Sequence, residues 1–297
     1  MSTWRIGSGC RATATPHLLD VDRVERLFVP SVLVAAAVSS PRPRMRSLRA
    51  HRTPRASSAA LPITTTPDHV AVAVPSIDGA ATRWRGELGG AWASPRMDDG
   101  PDFRTQQLRF ANHAKLELLE PTADDGFAAG FLQRFGARVH HVTLKVPDLL
   151  PAVDQVREAG YDVVDVSTKL DIWHEAFLRP SQVGGIIVQL AWSGMSDAQW
   201  LERMGSEAET VADDAAELLG PTIFHPDLQA CAQVWSVLGG TVEAGATSIE
   251  VSWPGAPLTV RVEQSDHPID PVLRFRGAPD LPADAQVGPA AVPPPTP

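Results

Sequence analysis

Two histidines, His69 and His141, each open an alternating apolar run six residues ahead of a proline. The runs are Asp68-His69-Val70-Ala71-Val72-Ala73-Val74-Pro75 and His140-His141-Val142-Thr143-Leu144-Lys145-Val146-Pro147. Counting 48 positions on from each histidine reaches a polar residue in a second apolar run, Glu117 in Lys115-Leu116-Glu117-Leu118-Leu119 and Gln189 in Ile187-Val188-Gln189-Leu190-Ala191. Two imidazoles, a carboxylate and a carboxamide at matching points of a duplicated unit are a ligand set suited to a divalent transition metal. A strand histidine taken singly is more often a satisfied core residue, but the matched spacing reverses that preference. Glu117 is hard to explain otherwise, because an unpaired carboxylate buried in an apolar strand costs several kcal/mol or takes up a proton. His140, adjacent to His141, is expected to face outward or to support it from behind, since neighbouring strand residues point to opposite faces.

The elements that position these residues repeat with a period of 72. The first unit reads as a strand at 69–74, a helix at about 77–88 stopped by Gly89-Gly90, a strand at 103–110, a turn at Asn112-His113 and a strand at 115–119. The second reads as a strand at 141–146, a helix at 149–159 stopped by Gly160, strands near 162–166 and 176–178, a turn at Gly184-Gly185 and a strand at 186–191. A weaker echo starts at Gly220, which stands where the other two copies have histidine, and its His225 reads as a bystander. The expected class is therefore α+β: paired βαβββ modules over 63–195 whose concave sheets face each other across a cleft, with a degenerate third βαβββ-like module at 206–276. Residues 1–62 read as a disordered extension, and 277–297, with Pro293-Pro294-Pro295, as a flexible tail.

Of the 297 residues, 43% are hydrophobic, enough for a substantial core. Residues 1–62 carry +7 against a total of −9, leaving −16 on the rest. An acidic body argues against a nucleic-acid groove, which needs clustered cations. Cys10 and Cys231 lie in dissimilar segments and give no disulfide framework or thiolate site, so a cytoplasmic setting is the expectation. The longest apolar stretch, 27–38, is interrupted by Pro30 and falls short of a spanning helix. It also has a reading as the core of a secretory signal, ranked below the plain extension, and Met45 is an alternative first residue.

The segments around His69, Lys115-Leu116-Glu117-Leu118-Leu119-Glu120-Pro121, Phe131-Leu132-Gln133, His140-His141-Val142 and Phe177-Leu178-Arg179-Pro180 through Gly184-Gly185 to Leu190 resemble the vicinal oxygen chelate superfamily (glyoxalase, bleomycin resistance, dioxygenase), and within it most of all the methylmalonyl-CoA epimerases. The resemblance spans about residues 67–193. It implies a metal-dependent isomerase holding Co, Zn, Mn, Ni or Fe, a small-molecule substrate of the acyl-CoA type, and epimerisation through a metal-stabilised enolate. It also implies a homodimer, a state common in the superfamily. Epimerases usually carry glutamate on the closing strand of the second unit; here that place holds Gln189 and the first unit holds Glu117, so the pseudo-twofold relation keeps the metal set as His69, Glu117, His141 and Gln189 with two members exchanged.

Epimerisation needs groups that remove and return a proton. Glu117 is the first choice, because ligand carboxylates serve as bases in related isomerases. Asp102 lies near where epimerases carry a carboxylate; its other reading is a solvated loop acid beside Asp98 and Asp99. His174 reads either as a proton donor lining the cleft or as a cap on a strand edge. Two further function classes stay open. One keeps the fold and metal but runs a glyoxalase-type lyase or Fe(II) dioxygenase reaction, for which His69, His141 and Glu117 form a two-histidine, one-carboxylate set. The other is a non-catalytic protein that sequesters a small ligand.

Overall fold

The computed structural model describes residues 61–99 and 102–277, together with the backbone of Ala285–Val287. The expected extension at 1–62 lies outside these residues apart from Leu61 and Pro62, as does most of the tail.

The first unit runs β1 (Thr66–Ala73), α1 (Ile77–Ala81), a π-helical turn over Thr82–Glu87, β2 (Ala91–Trp92), β3 (Met97–Asp98), β4 (Phe103–Arg109) and β5 (Lys115–Pro121). Ser76 caps α1 by accepting from the Gly79 amide, which satisfies one of the donors a helix start leaves free. Ile77, Ala80 and Trp84 point inward. A connecting helix, α2 (Phe127–Phe135), leads to the second unit: β6 (Arg138–Lys145), α3 (Leu149–Glu158), β7 (Val163–Leu170), β8 (Trp173–Leu178), the short α4 (Pro180–Val183) and β9 (Ile187–Ser193).

The two units do not face each other as separate sheets. They join edge to edge, β1 antiparallel to β6, into one nine-stranded sheet ordered β2-β4-β5-β1-β6-β9-β8-β7, with β3 beside β4. Within each unit the opening strand pairs in parallel with the closing strand, β1 with β5 and β6 with β9. One face carries Val70, Val72, Leu116, Leu118, Val142 and Leu144 into a core shared with α1 and α3. The other face, starting from His69 and His141, is left to line a cleft.

The joint contains two β-bulges that control the site. Pro67 pairs with Leu144 and His69 with Thr143, so Asp68 is an extra residue; Val72 pairs with Val139 and Ala71 with His141, so His140 is an extra residue. A bulge breaks the strict alternation of a strand and turns its extra residue toward the face of its neighbour. Asp68 and His140 therefore share the cleft with His69 and His141. The expectation for His140 rested on unbroken alternation and is corrected by this bulge.

α5 (Asp197–Arg203) follows β9, and the chain then crosses back to the first unit, where the Glu209 amide donates to the Trp92 carbonyl at 2.8 Å and the Glu209 carboxylate meets Arg85 at 2.7 Å. This strap leads into a third set of elements: β10 (Glu217–His225), α6 (Leu228–Val237), β11 (Thr241–Ala244), β12 (Ser248–Ser252), β13 (Val260–Gln264) and β14 (Val272–Arg276). Ala285–Val287, inside the segment expected as a flexible tail, adds an edge strand β15 to β14. β10 pairs in parallel with β13 and antiparallel with β14, the same relation that β1 has to β5 and β6. Trp235, Trp253 and Phe275 enter the core that holds Trp84 and Phe110. The Ala111 amide donates to Ala216, and the Ala216 amide donates to Leu88.

This third set repeats the bulge but has no metal-binding counterpart. Gly220 pairs with Arg274 as His69 pairs with Thr143. Gly220 has a φ of 116°, and a Cβ there would lie 2.0 Å from the Thr259 carbonyl oxygen, so no side chain fits. Arg274, the partner of Gly220 across the strands, is buried with an ion pair to Glu250 at 2.9 Å and a hydrogen bond to Thr259 at 2.6 Å.

Candidate metal centre

The bulges bring His69, Glu117 and His141 together, with one ligand atom from each within 4.8 Å of the others. Glu117 Oε1 lies 3.7 Å from His69 Nε2 and 3.9 Å from His141 Nε2. Its other oxygen accepts from Gln107 Nε2 at 3.1 Å. Each histidine turns its second nitrogen to the bulged residue before it. His69 Nδ1 meets Asp68 Oδ2 at 2.7 Å, and His141 Nδ1 meets His140 Nδ1 at 2.8 Å. A carboxylate oxygen can only accept, so Asp68 fixes the Nδ1–H tautomer of His69 and leaves its Nε2 lone pair free for a metal; in the His140–His141 pair one Nδ1 donates and the other accepts, and His141 offers its Nε2 lone pair when its own Nδ1 is the donor.

Metal–nitrogen and metal–oxygen bonds of about 2.0–2.2 Å place neighbouring ligand atoms roughly 3.0–3.4 Å apart. The two Glu117–histidine spacings, 3.7 and 3.9 Å, exceed this by roughly 0.3–0.9 Å, and all three ligand atoms lie within 4.8 Å of one another, so side-chain rotation would have to draw the trio inward around an ion. Two imidazoles and one carboxylate also match the preferences of zinc, cobalt and iron. The donor set fits a divalent transition metal.

Gln189 faces the same cavity and is buried, but its carboxamide is engaged. Its oxygen accepts from the Thr143 hydroxyl at 2.6 Å, and its nitrogen donates to Glu175 Oε2 at 2.9 Å. Thr143 Oγ1 is also 3.0 Å from His69 Nε2, so Gln189 reaches the trio through that hydroxyl. Across the two units the carboxylate and carboxamide exchange places: Glu117 on β5 is held by Gln107 on β4, whereas Gln189 on β9 holds Glu175 on β8.

Two other sequence candidates fall outside the cavity. Asp102 is a buried cap whose Oδ2 accepts from the Phe127 amide at 2.6 Å, at the start of α2. A Cβ on Gly126 would come within 2.3 Å of that same oxygen, which explains the glycine. The acid that enters the cavity is Asp99, three residues earlier, accepting from the Thr105 hydroxyl. His174 lies on the reverse face of β8, stacked on Trp192 with ring centroids 4.5 Å apart. Strand alternation sends Trp173, Glu175 and Phe177 into the cavity and His174 away from it.

The cavity has a volume of about 340 Å³. One end is closed by α2, whose Phe127 and Phe131 pack with Ala73, Phe103 and Leu119, and both rings touch His140. Trp200, Leu201 and Met204 of the strap line another wall. Burial among these rings lowers the His140 pKa to about 4 and holds His141 well below the usual histidine range, so both are neutral. Burial acts upward on the Asp68 carboxyl, but the hydrogen bond from His69 and the Lys115 ammonium outweigh it and hold Asp68 well below its ordinary value. Surrounding protein, then the charge of Glu117, raise the Asp99 pKa to about 7, although Asp99 stays accessible to solvent at the cavity rim. Burial likewise raises the Glu175 carboxyl above its ordinary value.

Comparison with known proteins finds relatives for part of this chain. The profile of the Glyoxalase/Bleomycin resistance protein/Dioxygenase superfamily matches residues 68–177. An ethylmalonyl-CoA/methylmalonyl-CoA epimerase from Cereibacter sphaeroides is 34% identical over 128 residues, covering 41% of this chain and 94% of the relative. The human mitochondrial methylmalonyl-CoA epimerase is 30% identical over 128 residues, covering 41% of this chain and 71% of the relative. Among solved structures, the methylmalonyl-CoA epimerase of Mycobacterium tuberculosis superposes with a TM-score of 0.40 at 22% identity, over 45% of this chain and 91% of that one. The profile match ends before the strap and the third set of elements. No helix among the described residues is long and apolar enough to cross a membrane.

Proposed function

The chain belongs to the Glyoxalase/Bleomycin resistance protein/Dioxygenase superfamily, and on that premise we propose that it is a metal-dependent isomerase that exchanges a proton α to a carbonyl, with an acyl-CoA such as methylmalonyl-CoA as substrate. The reading is carried by one observation: a trio fit to hold a divalent ion shares its cavity with two acids of raised pKa, Asp99 from the first unit and Glu175 from the second.

In this reading His69 Nε2, His141 Nε2 and Glu117 Oε1 would hold the ion, and Gln189 would be a fourth ligand only on releasing the Thr143 hydroxyl from which its oxygen accepts at 2.6 Å. A bound divalent ion supplies a Lewis acid that lowers the cost of removing a proton beside a carbonyl. The chain's own residues do the rest. Asp68 and His140 fix the two rings. Asp99, poised near neutrality, takes or returns a proton with little energy mismatch. Glu175, held by Trp173 and Gln189 at 3.1 and 2.9 Å, offers a second carboxylate from the other unit, as inversion at a carbon requires. Phe103, Phe127 and Phe177 exclude water from the reacting carbon.

The test is deuterium wash-in. Incubating methylmalonyl-CoA with the cobalt- or zinc-loaded protein in heavy water is expected to label the α carbon, and His141→Ala to abolish labelling. No labelling with any divalent ion refutes the assignment. A second reading has specific support, because two histidines and one carboxylate with Gln189 engaged elsewhere also form the set used by Fe(II) dioxygenases. Oxygen uptake that depends on ferrous ion would favour it.

A further inference from the structure

We propose that Lys145 and Lys115 form an anion subsite at the strap end of the cavity, selecting substrates with a carboxylate beyond the atoms addressed by His69, Glu117 and His141. The inference rests on the cavity being the substrate site, as proposed above, but not on the reaction. Lys145 lies on the cavity face of β6, two residues past Thr143 and so about 7 Å further along the strand. Its ammonium sits 3.9 Å from the centre of the Trp173 ring. Among the described residues, no carboxylate lies within 4.0 Å of it. An aromatic face offsets only part of what a buried ammonium loses in leaving water, and its three donors are best satisfied by an anion. Burial also lowers the Lys145 pKa, a cost that a bound carboxylate would relieve.

Lys115 shows how an anion would be admitted. Its ammonium lies 3.0 Å from Asp68 and 2.9 Å from Asp197. Asp68 is committed to His69, but Asp197 stands on the strap with its side chain 70% exposed, and its charge acts on both lysines. A substrate carboxylate can replace Asp197 at Lys115 while meeting Lys145, and the favoured acyl substrate therefore carries a free carboxylate in addition to the carbonyl group addressed by His69, Glu117 and His141.

The test compares succinate with succinamate, its half-amide of nearly the same shape and one fewer charge, by calorimetric titration of the full metal-loaded chain. The wild type is expected to prefer succinate by about tenfold or more. Lys145→Met and Lys145→Gln should each erase that preference, whereas Lys145→Arg keeps it. Unchanged metal stoichiometry in the variants reports an intact centre. Equal binding of the two probes by the wild type, or a preference that survives both neutral substitutions, overturns the subsite. Loss of the preference without deuterium wash-in leaves the subsite standing and removes the isomerase reading; wash-in with an unaltered preference does the reverse.

Discussion

Replacing Asp68 with asparagine should weaken the metal centre without touching a ligand. The Asp68 carboxylate spans His69 Nδ1 at 2.7 Å and Lys115 Nζ at 3.0 Å, with its side chain only 13% exposed. A hydrogen bond to a charged group contributes about 1.5–3 kcal/mol, which at about 1.4 kcal/mol per decade corresponds to roughly 10- to 150-fold. Asparagine keeps an acceptor oxygen, so the expected loss of metal affinity lies toward the lower end, about tenfold, and it removes the negative charge that balances Lys115 beside an incoming cation. His140→Phe supplies the internal comparison. It preserves a ring between Phe127 and Phe131 but deletes a neutral hydrogen bond to His141, worth about 0.5–1.5 kcal/mol, and should cost less than D68N. Competition against a chromogenic chelator, with circular dichroism to confirm folding, gives both values. Unchanged affinity in D68N, or a larger loss in H140F, would refute the claim that the bulged residues set the strength of the two imidazole ligands.

Further outcomes follow from the same geometry. Asp99 is raised to about 7 partly by the charge of Glu117, which a bound cation would offset, so α-proton exchange in the metal-loaded protein should rise with pH and level off no higher than about 7, and Asp99→Asn should flatten that limb in a pH–rate profile. Because its folded pKa lies above its value of about 3.8 in the unfolded chain, Asp99 also contributes stability that is present at low pH and lost as pH rises through about 7; melting temperatures of wild type and D99N should converge below pH 4. Asp68 has the opposite sign: its folded pKa is depressed, so its contribution is present above about pH 4 and lost as pH falls, and D68N should unfold with a shallower acid limb. Gly220→Ala drives a Cβ into the Thr259 carbonyl and should destabilise the chain by about 1–3 kcal/mol or more in urea unfolding, with the metal trio intact in the fraction that folds.

The repeat and the four polar positions His69, Glu117, His141 and Gln189 are legible because each copy keeps the same spacing and alternation runs unbroken from His141 to Lys145 and from Lys115 to Leu119. Period-2 counting from His141 also reaches Thr143 and Lys145, and backward from Phe177 it reaches Glu175; of the two readings of His174 the cleft-lining one lies one residue out of that count, and one residue reverses a strand's face. The bulges were not legible. No residue type announces that Asp68 and His140 are extra members of their strands, since the bulge arises from the register between β1 and β6. Asp102 rests in the sequence on the resemblance to epimerases alone, with a solvated loop acid as its other reading, and the signal for its capping role is the Gly126-Phe127 helix start 24 residues later. Gly220 was readable as a missing histidine but not as a site of backbone contact.

Equilibrium dialysis of the purified chain against cobalt or zinc, with metal measured by mass spectrometry, tests most directly whether β1, β5 and β6 gather one cation site. One tightly held ion per chain, lost in His69→Ala, Glu117→Ala and His141→Ala alike, is the predicted result. Binding that is absent from the wild type, or that persists in all three variants, would contradict it.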